Sequence, residues 1–100
     1  METIELASIE MTYQQQTKIL SFTNAELNIL SDFGSRLWYV DVDGVEDIAL
    51  LRWFGQSEDI EVKLILRDHS GRSYSGIAYF HPNEPHQAAA IRGEGELHQL

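Results

Sequence analysis

Two runs of strict alternation, joined by a turn, constrain this chain more than any other feature. Val62, Leu64 and Leu66 share one phase, with Glu61, Lys63 and Arg67 on the other. After Asp68-His69-Ser70-Gly71, Tyr74, Gly76, Ala78 and Phe80 alternate with Ser73 and Ser75. Period two sends successive side chains to opposite faces, so residues 60–80 read as an antiparallel hairpin with one buried face.

Other segments carry the same period. Ile4 and Leu6, then Ile9, Met11 and Tyr13, alternate with acids in a first strand. The phase changes between Leu6 and Ile9, which predicts a bulge near Ala7-Ser8. Gln14, Gln15 and Gln16 make a polar turn, and residues 18–22 return as a strand. Residues 36–42 are aromatic and β-branched, and Asp43-Gly44 is a favoured two-residue hairpin turn. That turn predicts a strand over 45–54, although Val45, Ile48, Ala49 and Leu51 would also line a helix. Residues 81–87 read as a proline-punctuated loop. Residues 88–97 close the series, with Gly93 and Gly95 marking a bulge or bend.

One segment has helical signals. Thr23 and Glu26 stand at capping-box spacing, Phe22 and Leu27 at the spacing of a hydrophobic staple, and Gly34 where a left-handed cap would fall. These predict a helix over 24–33. The expected fold is mostly β (α+β by count): a small antiparallel β-barrel or sandwich of about six strands with one short helix near 24–33. The 100 residues form a single domain over 1–100, without linker, repeat or low-complexity tract.

Charge narrows the functional classes. Sixteen acids face seven bases, for a net charge of −9. A nucleic-acid backbone needs clustered Lys and Arg, so nucleic acid is not an expected partner. Cysteine is absent, which removes disulfides, thiolate metal sites and Cys nucleophiles and fits a reducing cytoplasm. The first residues carry no basic, apolar leader, and no apolar run approaches the roughly twenty residues of a membrane span. The expectation is a cytoplasmic protein with no membrane partner.

Several groups of reactive residue types occur, each with a plainer reading. Residues 41–47 resemble a calcium loop in composition, but Val45 and Glu46 stand where such a loop needs a ligand and a glycine. Asp68-His69-Ser70 holds the residue types of a hydrolytic triad, yet neighbours on a turn cannot place the base between nucleophile and orienter. An Asx turn explains them better. His81, Glu84 and His86, joined by His69 or His98, supply imidazole and carboxylate ligands for a divalent metal. Arg92-Gly93-Glu94-Gly95-Glu96 lacks the helix and third glycine of a phosphate loop. No cofactor fingerprint and no nucleophile in a recognisable setting is present, so an enzyme is not expected.

Acids and rings converge in the middle of the chain. Residues 1–50 hold nine acids and two bases, residues 51–100 seven acids and five bases. Asp41, Asp43, Glu46, Asp47, Glu58, Asp59 and Glu61 lie close in sequence to Trp38, Tyr39, Trp53 and Phe54. Alternation should expel one ring from each adjacent pair. An outward ring among acids has the composition of a protein-binding or dimer surface. The expectation is a non-catalytic acidic interaction module of inhibitor, immunity or accessory type, or one that self-associates as a homodimer. Its partner-binding residues would be Trp38, Asp41, Asp43, Glu46, Asp47, Trp53, Phe54, Glu58, Asp59 and Glu61. The alternative is a β-barrel binding a small ligand or divalent metal through the histidines of residues 69–86.

Overall fold

The computed structural model describes residues 1–32 and 35–100. β1 (Glu2–Tyr13) is the longest strand together with β7 (Ala88–Gln99). Its register shifts between Leu6 and Ser8, at the phase change visible in the sequence. β1 serves two barrel partners, and the shift lies within the ladder to the second. Glu2 to Glu5 pair with β3 (Asn24–Asp32), and Leu6 to Thr12 pair with β5 (Glu61–Asp68). Beyond Tyr13, Gln14 and Gln15 take positive φ values of 49° and 63°, which suits a tight hairpin. β2 (Gln16–Ile19) returns along the far half of β1 as an added short strand.

β4 (Ser35–Asp43), β7 and β6 (Ser73–Asn83) complete the circuit β1-β3-β4-β7-β6-β5, which closes through the β1–β5 pairing. The result is a six-stranded antiparallel barrel with one extra strand. Ile9, Met11, Leu27, Val40, Leu64, Leu66, Ile91 and Phe80 fill its interior, each fully buried.

The helix near 24–33 is not present: Asn24–Asp32 form β3, and residue 33 lies outside the described residues. Ala25, Leu27 and Ile29 point inward while Asn24 and Glu26 point outward. The capping signals were local, whereas β3 is paired on both flanks, to β1 and to β4. Tertiary pairing of that kind overrides propensity. Thr23 instead donates its backbone N–H to Asp43 O. Gly34, the proposed cap, lies outside the described residues.

The strand predicted over 45–54 is replaced by the helix α1 (Ile48–Gln56). Gly44 takes φ +69°, and there it ends β4 rather than forming a hairpin. Asp47 then caps the helix, its Oδ1 accepting the Leu50 N–H at 3.0 Å. Leu50, Leu51 and Phe54 form the buried stripe. Topology explains the need for this helix. β4 and β5 are three places apart in a ring of six, so their connection must cross the mouth of the barrel. The nine residues of α1 span about 13 Å and plug that end. The loop predicted at 81–87 is shorter than expected, because β6 runs to Asn83 and only a 3-10 turn, Glu84–His86, follows.

At the opposite end the interior is filled by Trp38, 4% exposed. Its indole lies flat on backbone. A Cβ at Gly76 would come within 2.6 Å of the ring, and one at Gly93 would overlap Cε2 and Cδ2. These two strand glycines are sites of close approach rather than points of flexibility. Gly93→Ala is therefore expected to destabilise the protein by about 1–3 kcal/mol through overpacking. Gly55→Ala, where the added methyl meets only Pro82 Cγ at 3.9 Å, should be neutral or stabilise by up to about 1 kcal/mol. Urea unfolding of both variants checks the contrast.

Candidate functional site at the helix-plugged end

Four aromatic rings pass from the core to the surface at this end. Phe54 packs on Phe80 with centroids 4.4 Å apart, and Tyr13 on Phe54 at 4.9 Å. Trp53 completes the series, 5.3 Å from Tyr13 and edge-on to Phe54 at 4.9 Å. Tyr13, Phe54 and Phe80 are buried, while Trp53 is 39% exposed. Trp53 is thus an outward ring whose position is fixed by two buried neighbours. Beside it a groove of about 240 Å³ runs between α1 and β2, with Trp53 and Ala49 on one wall and Gln16 and Lys18 on the other.

Carboxylates flank the helix at both ends. Before it, Glu46 accepts a hydrogen bond from Ser21 Oγ at 3.1 Å, and Asp47 caps the first turn. After it, Asp59 accepts from Gln14 Nε2 at 3.2 Å and from the Glu61 N–H at 3.2 Å. Glu58, Asp59 and Glu61 are exposed. Asp41 and Asp43 face outward on β4 near the same barrel end. The register places Asp41 opposite Glu26, and Glu26 opposite Glu5. Like charges directly across neighbouring strands oppose folding. Among the described residues the one ion pair is Arg52 Nε to Glu84 Oε1, at 2.6 Å. Most of the negative charge is therefore left facing solvent.

The predicted surface residues divide into two groups. Asp41, Asp43, Glu46, Asp47, Trp53, Glu58, Asp59 and Glu61 lie on or around the helix-plugged end. Trp38 and Phe54 are buried at 4% and 2% exposure; Trp38 sits at the other end, and Phe54 acts only by supporting Trp53. Each adjacent aromatic pair does split, with Tyr39 half-buried beside Trp38. Sequence reasoning missed the groove residues Gln16, Lys18 and Ala49, because it depends on α1 lying beside β2.

The histidine set is not brought together. His69 follows β5 at the end opposite α1, whereas His81 lies on β6 opposite Ala90, near the plugged end. Glu84 is engaged by Arg52. Among the described residues no group of three or more His, Asp or Glu side chains is placed to hold a metal ion. The acids of residues 41–47 do not converge either, since Asp41 and Asp43 face outward and Asp47 caps α1. Among the described residues no helix is long and apolar enough to cross a membrane.

Asp68 and Tyr74 form a second polar cluster, at the end opposite α1. Asp68 is 8% exposed. Its Oδ1 accepts from Ser70 Oγ at 2.7 Å and from the N–H groups of Ser70 and Arg72, and its Oδ2 accepts from Tyr74 Oη at 3.3 Å. His69 takes no part in these bonds, so the turn is the Asx arrangement expected from its residue types. Comparison with protein-family models, with curated proteins and with solved structures found no match to this chain.

The titration of this cluster is tied to folding. The bond from Ser70 Oγ holds the Asp68 carboxyl below the ordinary carboxylate range, aided by the Arg72 and Ser70 amides and Tyr74 and opposed by burial. A lowered folded value stabilises the native state above the unfolded pKa of about 3.9. That contribution is lost as pH falls through the folded value. Burial, then the Asp68 charge, pushes the Tyr74 phenol up. The charge of Glu94, then burial and Glu61, does the same to Tyr79. Raised phenols stabilise below an unfolded pKa of about 10, and the effect disappears as pH rises through the folded values. Denaturant unfolding against pH should therefore show an acid limb that Asp68→Asn makes shallower. An unchanged acid limb in that variant would refute the assignment.

Proposed function

We propose that this protein is a non-catalytic, acidic interaction module that binds a basic partner protein at its helix-plugged end. The reading rests on one observation above all: Trp53 is exposed yet held between Tyr13 and Phe54, near carboxylates that form no ion pair among the described residues. Exposed tryptophans of fixed geometry are efficient anchors, because little side-chain freedom remains to be lost on binding. Glu46, Asp47, Glu58, Asp59 and Glu61 would steer a positively charged partner and raise the association rate. Inhibitor, immunity and accessory proteins work in this way by occupying a partner's surface. A cytoplasmic setting suits a chain without cysteine. Self-association is disfavoured by the charge of −9 on each copy.

The test is affinity purification with wild-type bait beside Trp53→Ala and a bait carrying Glu46→Gln, Glu58→Gln and Asp59→Asn. A species held by wild type should lose at least about tenfold in affinity on Trp53→Ala, the scale of a central anchor. The charge variant should lower the association rate and flatten its salt dependence. Equal retention on the Trp53→Ala bait, with that variant shown to be folded, would rule out the site. A homodimer in sedimentation that Trp53→Ala dissolves would replace the heterologous partner with a second copy.

A further inference from the structure

Strand β7 changes character part-way along. Ala88 to Arg92 are paired on both flanks, to β4 and to β6, and Ala89 and Ile91 are buried. The β4 ladder stops at Tyr39↔Arg92. Past it, two steps on β6, from Ile77 to Ser75, are matched by four on β7, from Glu94 to His98. Gly95, at φ +76°, lies in that bulge. Beyond Gly95, among the described residues, only β6 pairs with the chain. His98 and Gln99 stand opposite Ser75 and Tyr74, and the Leu100 N–H donates to Ser73 O at 2.8 Å. Leu97 is half-buried, while Glu96, His98, Gln99 and Leu100 are exposed. On the other flank a cleft of about 660 Å³ lies between Glu96 and Leu97 on one side and Arg36 and Leu37 on the other. One side-chain bond reaches the base of the segment, from Trp38 Nε1 to Gly95 O at 3.1 Å.

We infer that residues 96–100 form a strap that lifts off β6 about Gly95 while the rest of the barrel stays closed, with the Trp38 indole as its latch. Segments open locally where few apolar groups are buried and few backbone bonds hold them. Leu97 is the strap's one contact with the margin of the core, and one flank alone is paired. Ile91, earlier in the same strand, is fully buried and paired on both flanks. Gly95 supplies the pivot. Hinges are a few residues that absorb a large change in φ and ψ, and glycine does so at the least steric cost. Nothing lies within 4 Å of where its Cβ would stand, so rotation there meets no obstruction. The latch follows from the atoms its bond joins. The acceptor is the pivot's own carbonyl, so turning Gly95 swings that oxygen away from Trp38 Nε1. Gly93, against the face of the ring, stays paired to Ala78. Lifting the strap therefore leaves the indole seated and exposes an edge that is covered while the strap is down, when Trp38 is 4% exposed. The device gates the barrel mouth opposite α1 and does not depend on Trp53 or the function proposed for it.

The experiment is hydrogen exchange read by NMR on the full chain in low urea, following the Leu100 amide, the Trp38 Nε1–H, and the Ile91 and Leu64 amides as core references. The Leu100 amide and the Trp38 indole proton should exchange together, at least about a hundredfold faster than the references. Their rates should stay nearly flat as urea rises while the reference rates climb steeply, because the slope follows the surface exposed on opening. A lock adds a second reading. Paired strand residues stand roughly 4.5–5.5 Å apart at Cα, within reach of a disulfide, and the chain has no cysteine to compete. Ser75→Cys combined with His98→Cys, once oxidised, should slow both strap protons to the Ile91 rate, and reductant should restore the difference. If the bridge does not form, the urea slopes of the unaltered chain decide. Equal slopes for strap and core protons would overturn the proposal. So would fraying of Leu100 with the Trp38 proton held at the Ile91 rate, or an oxidised lock that leaves both protons as fast as before.

Discussion

Closure of this barrel depends on β1 changing partners part-way along its length. Its first residues, to Glu5, complete a ladder with β3, and from Leu6 onward the rest completes one with β5. Without the β1–β5 ladder the sheet would keep two long exposed edges, which invite pairing between chains. Closure in turn places β4 and β5 across the ring from each other, so the chain between them has to span the opening. The helix, its buried Leu50, Leu51 and Phe54, and the outward Trp53 follow from that requirement.

How much of this was legible depended on whether the deciding contacts were local. The β5–β6 hairpin was readable because alternation and turn residues act within twenty residues of chain, and its inward set, Val62, Leu64, Leu66, Tyr74, Ala78 and Phe80, is buried as expected. The bulge in β1 was readable for the same reason. β3 was not, because Thr23, Glu26 and Gly34 supply helical punctuation while the decision belongs to strands on both flanks. α1 was lost through Gly44. An Asp-Gly pair signals a hairpin, but this glycine redirects the chain into a cap at Asp47.

The candidate site was legible in composition and only partly in geometry. One of Trp53 and Phe54 does leave the core, but alternation along a strand is not the reason. On a helix, adjacent residues are separated by about 100°, which also divides a buried ring from an exposed one. For Trp38 and Tyr39 the strand argument was the right one, but it gave no hint that the inward indole would lie on Gly76 and Gly93. That contact joins residues far apart in sequence, and strand glycines alone do not say what approaches them.

The two indoles have a practical consequence. Trp38 is sealed at one mouth of the barrel and Trp53 is partly wet at the other, and these are the chain's only tryptophans. Intrinsic fluorescence therefore contains two separable signals, one shielded from aqueous quenchers and one open to them. Occupation of either mouth would register on its own chromophore, giving the molecule a built-in optical label at each pole.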